Sequence, residues 1–377
     1  MKNIEQRLQQ DLNQREDEGK LRSLKAMEGL VDFTSNDYLG LANSNVLKTK
    51  IQSLEASHPR LANGAGGSRL LSGNYPLIQE LEKDIAAFHE AESGLIFNSG
   101  YDANVGLMAT LPKRNDTILY DECVHASIRD GIRLSLANAF SFNHNDLEDL
   151  EKKFSRSKGE VFIMVESLYS MDGDLAPLEA MVNFSRDHNC NLLIDEAHAN
   201  GIIGHQGEGL VKHLNLQNDV LARVHTFGKA IGVHGAIVLG SQTLIDYLVN
   251  FCRSFIYTTA PPPAHLLGIK AAYQTFPEMT SERSHLVELK SHFQHLFSDL
   301  PEIMLIKGDG PIQGFKIPGN REARKMAETL QNEGFDVRPV LSPTVPQGQE
   351  RIRICLHAYN TKHEIQNLKI SVGASIL

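Results

Sequence analysis

Cysteine is scarce in this sequence, long apolar runs are missing and no internal repeat is present, and each absence removes a class of protein. Four cysteines stand at Cys123, Cys190, Cys252 and Cys355, far apart and with no CxxC pair. That spacing gives neither a zinc knuckle nor a disulfide framework. It fits reduced, mostly buried thiols in a cytoplasmic protein. No apolar stretch reaches the roughly 18 residues a membrane span needs, so no span is expected. The first twenty residues are polar and charged and lack the apolar core of a signal peptide. Positive charge is also in deficit: 37 lysines and arginines face 46 acidic residues, for a net charge of -9. A general nucleic-acid binder is argued against, while an anionic small ligand remains compatible with local basic residues. The histidines are scattered, so no metal centre is expected.

What is present reads as a two-lobed globular protein. The chain has 377 residues, more than one ordinary domain. Ile4, Leu8 and Leu12 recur at four-residue steps and predict an amphipathic helix over 4–28. A short strand is expected at 31–34, a glycine-rich stretch occupies 63–68, and a helix is expected over 76–90. Apolar runs at 94–98, 117–120, 161–165, 191–194, 224–227 and 235–239 then alternate with segments of helical length. This alternation predicts an α/β domain with a mainly parallel sheet. Beyond Pro261-Pro262-Pro263 a long helical region is expected to about residue 300. Strands at 312–317 and 351–356 and helices at 321–334 and 363–372 predict a smaller α+β lobe. The expected division is an N-terminal segment over 1–45, a large domain over 46–275 and a small one over 276–377.

In open parallel sheets, ligands sit outside the carboxyl ends of the strands. Asn98-Ser99-Gly100, Glu166, Asp195 and Thr226 all fall at such ends, which points to one shared site. In Leu193-Ile194-Asp195-Glu196-Ala197-His198 an acid and a histidine are placed to meet one ligand. A carboxylate against a pyridine nitrogen keeps it protonated, so that the ring becomes an electron sink. The bland alternative makes Asp195 the N-cap of a helix. In Thr226-Phe227-Gly228-Lys229-Ala230-Ile231-Gly232 a lysine follows a strand in apolar surroundings, where it is suited to a Schiff base with an aldehyde. The alternatives are a solvated loop lysine or a phosphate loop. The latter fails its pattern, with Ala230 after the lysine and Arg223 where a glycine is needed. Ser99-Gly100-Tyr101 runs into a helix whose first amides suit a phosphate. His125 follows a strand and is placed to stack on a flat ring, or else is a satisfied structural histidine.

The order of Ser99-Gly100-Tyr101, His125, Ser170-Met171-Asp172-Gly173, Asp195-Glu196-Ala197-His198 and Thr226-Phe227-Gly228-Lys229 resembles the α-oxoamine synthase family. Phe33-Thr34-Ser35-Asn36-Asp37-Tyr38-Leu39-Gly40, Gly66-Gly67-Ser68-Arg69-Leu70-Leu71-Ser72-Gly73, Tyr257-Thr258-Thr259-Ala260 and Pro343-Thr344-Val345-Pro346 extend the likeness nearly end to end. The resemblance implies a fold-type-I enzyme dependent on pyridoxal 5'-phosphate, and a cytoplasmic homodimer. It also implies condensation of an amino acid with an acyl-CoA or carrier-protein thioester, with loss of carbon dioxide. The nearest branch uses L-alanine and a pimeloyl thioester in biotin synthesis. Other amino acid and acyl pairs, an aminotransferase and a non-catalytic cofactor-binding protein are the alternatives.

The resemblance also implies roles. Lys229 would hold the cofactor and move the proton, and Asp195 would pair with the pyridine nitrogen. Ser170, His198, Thr226, Gly100 and Tyr101 would contact the cofactor, and His125 would stack on it. Arg353 and Asn36 would take the amino acid's carboxylate, and Arg22 and Thr344 the acyl substrate. The chain departs from the commonest family pattern at Ala199-Asn200-Gly201, at His234 and in the extra proline of 261–263. These departures bear on acyl specificity.

Overall fold

The computed structural model describes residues 2–301 and 304–376. Among them, thirteen strands follow in chain order. They are β1 (Val31–Asp32), β2 (Ser93–Phe97), β3 (Thr117–Asp121), β4 (Asn138–Phe142), β5 (Val161–Glu166), β6 (Asn191–Asp195) and β7 (Ala222–Thr226). After them come β8 (Ala236–Gly240), β9 (Leu305–Ile306), β10 (Ile312–Lys316), β11 (Phe335–Asp336), β12 (Arg338–Val340) and β13 (Arg351–Cys355). The first five helices are α1 (Lys2–Asp17), α2 (Asn45–Ser57), α3 (Pro76–Phe88), α4 (Gly100–Thr110) and α5 (Ala126–Leu134).

The larger of two compact units, Asn36–Ser170 with Asp174–Ser284, holds a seven-stranded sheet in the order β2-β8-β7-β6-β5-β3-β4. β8 alone is antiparallel to its neighbours, while β4, β3, β5, β6 and β7 pair in parallel. Alternate residues of one strand go to opposite cores. Phe162 and Met164 join one buried cluster, Ile163 and Val165 the other. Leu193 likewise joins the first and Leu192 and Ile194 the second. A sheet covered on both faces needs apolar residues at nearly every strand position, which is why these strands read as continuous apolar runs. The α/β expectation and its mainly parallel sheet are met.

The smaller unit comprises residues up to Ser35, Met171–Gly173 and the chain from His285 on. It carries an antiparallel sheet β12-β13-β10-β9 and a two-stranded parallel pair, β1 with β11. Phe293, Phe297 and Phe315 stack in its core. The first 35 residues therefore belong with the C-terminal chain, because Val31 and Asp32 pair with Phe335 and Asp336. The expected helix over 4–28 stops at Asp17, and two residues on Gly19 takes φ +66°, a conformation that breaks a helix. The long helical region after the triple proline is two helices, Pro263–Tyr273 and Thr280–Leu296, with the short Phe276–Glu278 turn between them. No helix among the described residues is long and apolar enough to cross a membrane.

Candidate active site

Polar side chains appear in the larger unit where the apolar strands run out. Glu166 ends β5, Asp195 ends β6 and Thr226 ends β7, and Glu166 and Asp195 are register partners. Outside these ends lies a cavity of about 240 Å³. Asn36, Gly100, Tyr101, His125, Asp195, His198, Thr226 and Lys229 all line it, together with Asn104, Ser127, Glu166 and His234.

Asp195 is 4% exposed and is held on both oxygens. Asn104 Nδ2 donates to Oδ2 at 2.7 Å and the Ala197 N–H donates to Oδ1 at 2.8 Å. No helix begins there; the chain continues in turns to Gly209. The helix-cap reading of Asp195 is thereby overturned, since its local bond closes a turn at the sheet edge. The same Asn104 amide donates to Ser127 Oγ at 3.0 Å, and Ser127 Oγ lies 2.8 Å from His125 Nδ1. The Ser127 N–H also points to that nitrogen, at 3.2 Å. His125 Nδ1 is therefore an acceptor, and the proton of a neutral ring sits on Nε2. Desolvation holds this imidazole below its usual pKa, with Asp195 opposing and Lys229 assisting. His125 caps α5 through Nδ1, which bears out its structural reading, and it lines the cavity as well.

The amine of Lys229 lies 2.8 Å from His198 Nε2, His198 Nδ1 lies 2.8 Å from the Tyr38 hydroxyl, and Tyr38 donates to Asn36 Oδ1 at 3.1 Å. These donors and acceptors are mutually consistent. With the Tyr38 proton on Asn36, the Tyr38 oxygen accepts from His198 Nδ1–H, which leaves Nε2 to accept from the lysine. His198 thus orients the amine.

Gly100 opens α4 behind its N-cap Ser99. A Cβ at Gly100 would stand 2.4 Å from Thr226 Cγ2, so a larger residue would close the wall. The first amides of α4 have no intrahelical acceptors and carry the positive end of the helix dipole. An amine, a buried carboxylate, a helix start and an imidazole around one cavity match the aldehyde, pyridine nitrogen, phosphate and ring face of pyridoxal phosphate. The residues fit the cofactor.

Four expected site residues lie elsewhere. Ser170 is buried and is not among the residues lining the cavity. Arg22 and Thr344 belong to the smaller unit, where Arg22 Nη2 donates to Thr344 Oγ1 at 3.2 Å beside a cavity of about 510 Å³. Arg353, on β13 of the same unit, is register partner to Gly314 and Arg338. Asn104, Ser127 and Tyr38 were not singled out for a role by sequence reasoning. Tyr38 stands within the Phe33–Gly40 likeness, while no local pattern sets Asn104 or Ser127 apart.

His144 lies between two carboxylates, Asp121 at 2.9 Å and Asp174 at 2.8 Å. Burial works against its charge, but hydrogen bonds to Asp121, Asp174 and Cys123 raise its pKa to about 12. Asp121 Oδ1 also accepts the Cys123 N–H at 2.7 Å, so this ion pair fixes the turn that carries His125.

Comparison with known proteins agrees with the geometry. Residues 28–369 match the family described as aminotransferase class I and II. The chain belongs to that family. It is 41% identical to the 8-amino-7-oxononanoate synthase of Emericella nidulans, over 96% of this chain and 93% of that one. Among solved structures, the 8-amino-7-oxononanoate synthase of Francisella tularensis is similar at TM-score 0.79 and 28% identity, covering 92% of this chain and 98% of that one. A serine palmitoyltransferase from S. paucimobilis, with a bound PLP-myriocin aldimine, superposes at TM-score 0.89. At 24% identity, over 98% of this chain and 96% of that one, it speaks to the fold alone. Within the aminotransferase family this enzyme is an α-oxoamine synthase, an acyltransferase that depends on pyridoxal phosphate, as its curated relatives show.

Proposed function

We propose that this α-oxoamine synthase condenses L-alanine with a pimeloyl thioester and releases carbon dioxide and the free thiol, forming 8-amino-7-oxononanoate for biotin synthesis. The observation that carries the reading is the convergence of Lys229, His198, Asp195 and His125 on one cavity, in a chain 41% identical over nearly its whole length to a relative of that name. When bound, pyridoxal phosphate supplies the aldehyde that captures an amine and the ring that delocalises electrons from the amino acid's Cα.

The protein's own groups do the rest. Lys229 holds the cofactor covalently and, once its amine is freed by the substrate, takes the Cα proton. His198 keeps that amine oriented. Asp195 keeps the pyridine nitrogen protonated, and its two fixed donors leave it little freedom to turn away. Thr226 and the first amides of α4 hold the cofactor's oxygens, with Ser170 as a further contact, and His125 lies on the ring. Arg353, helped by Asn36, receives the amino acid's carboxylate, for which a guanidinium offers two parallel bonds. Arg22 and Thr344 take the far end of the acyl chain. The enzyme works as a homodimer, which light scattering on the purified holoenzyme tests, and in the cytoplasm, which cell fractionation tests. The reaction itself is tested by incubating amino acid and acyl thioester pairs and reading free thiol. Alanine with pimeloyl thioester is expected to exceed serine with palmitoyl-CoA and glycine with acetyl-CoA, and a preference for either of those pairs would reject this assignment.

A further inference from the structure

Two carboxyls line the cofactor cavity, and they are held differently. Asp195 and Glu166 are register partners on adjacent parallel strands, 4% and 2% exposed. Two carboxylate charges so close and so dry repel strongly, and one of such a pair keeps its proton. Hydrogen bonding decides which. Asp195 receives a donor on each oxygen, from Asn104 and from the Ala197 N–H, and such bonds favour the charged form. Glu166 takes the backbone N–H of His125 at 2.6 Å. The charged groups facing Glu166 are Asp195 from β6, Asp121 from β3 and Lys229 from the loop after β7. Burial, and after it Asp195, pushes its carboxyl well above the usual range, while Lys229 and the His125 N–H pull the other way.

We infer that Glu166 is a positioning residue that acts uncharged, holding the backbone of His125 in place and leaving Asp195 as the one carboxylate charge on the cavity wall. A protonated carboxyl still accepts the His125 amide through its carbonyl oxygen. It adds no second negative charge that would hold a proton on Lys229. The loop bearing His125 is therefore anchored to the sheet without changing the charge balance at the reacting atoms. This inference rests on the assignment of the cavity to pyridoxal phosphate.

Glu166→Gln and Glu166→Leu holoenzymes test it. The readings are the dissociation constant of the cofactor and the pH midpoint of its visible absorption. Glutamine keeps the acceptor oxygen and is neutral, so the midpoint stays at the wild-type value and the dissociation constant changes less than about twofold. Leucine removes the acceptor of the half-buried His125 N–H, and cofactor binding weakens roughly ten- to hundredfold. Rescue by glutamine of what leucine loses supports the proposal. If Glu166 is charged in the wild type, glutamine removes a negative neighbour of Lys229 and lowers the midpoint by about one pH unit or more. That shift overturns it.

Should the variants not fold, the wild type answers alone, through carbon NMR of carboxyl-labelled glutamate in the holoenzyme. Among the described residues, two glutamates are expected to titrate late, Glu166 and also Glu196, which burial raises to about 7. Only Glu166 lines the cavity, so only its resonance moves when the cofactor is fixed by borohydride. Absence of a late, cofactor-sensitive resonance overturns the proposal. Borohydride fixing the cofactor on a lysine other than Lys229 removes the cavity assignment and the proposal with it, whereas the glutamine result tests the proposal alone.

Discussion

Asp195 and Arg22 are both charged side chains to which the proposed function assigns a ligand, and they are held in opposite ways. Asp195 ends a buried strand of the larger unit, with each oxygen bound to a fixed donor. Arg22 lies in the smaller unit on an irregular segment beside a fully exposed Leu24, where it donates to Thr344 Oγ1 at 3.2 Å. A catalytic charge gains from being fixed before the substrate arrives, because no reorganisation is then needed in the transition state. A group that reads the length or charge of a chain tolerates movement. Under the proposed function, the chemistry common to a family is assigned to the rigid frame and the choice of acyl group to the irregular, exposed segment that carries Arg22.

This contrast can be broken first at Lys229. Lys229→Ala is expected to abolish turnover and borohydride-stable attachment of the cofactor while leaving thermal unfolding of the apoprotein nearly unchanged. Peptide mass mapping with a melting curve reads both outcomes together.

Asp195→Asn comes next. With donors on both sides, an asparagine must set its own NH2 against either the Asn104 amide or the Ala197 N–H, and the ring nitrogen loses its counter-charge. A loss of about 3 kcal/mol or more, over a hundredfold in kcat, is expected. Near-normal kcat in single-turnover and steady-state assays would mean that the buried charge is structural only.

Arg22→Ala sharpens the other side of the comparison. Its kcat/KM for pimeloyl thioester is expected to fall roughly ten- to hundredfold more than for a neutral acyl thioester of equal length. Equal losses on both donors would show that the arginine merely supports its segment.

The smallest effect concerns the frame. His144 has a folded-state pKa of about 12, above its unfolded value. Its stabilisation is fully present below about pH 6.5 and is lost as the pH rises toward the folded value. The stability advantage of wild type over His144→Gln in urea unfolding should therefore shrink with rising pH, by no more than about 1.4 kcal/mol per unit. An advantage independent of pH would remove the charge from the account.

The sheet was legible because strands covered on both faces must be apolar throughout, and the six runs read from the sequence coincide with β2, β3, β5, β6, β7 and β8 to within about two residues. β4 escaped notice. As Asn-Ala-Phe-Ser-Phe on the sheet edge, only its last residue is buried. Helix α2 buries Leu47 alone and left little periodic signal. The pairing of β1 with β11 depends on two residues from each end of the chain, and no local pattern carries that. In the site, Lys229, Asp195, His198 and His125 were readable because each sits in a short motif of unusual composition. Glu166 was noticed only as a polar strand end. Asn104, Ser127 and Tyr38 gain meaning from hydrogen bonds spanning 91, 23 and 160 positions that exist only once the chain is folded.

The pairing of β1 with β11 also sets an order of events on the ribosome. Thr34 donates to the Asp336 carbonyl across 302 positions of sequence. At roughly 5 to 20 residues per second, the first strand waits on the order of 15 to 60 seconds for its partner to be made. The larger unit's strands emerge complete within that interval, so its sheet is free to assemble while the chain is still growing. The smaller unit closes last, and until it does the N-terminal 35 residues are a nascent tail within reach of chaperones and proteases.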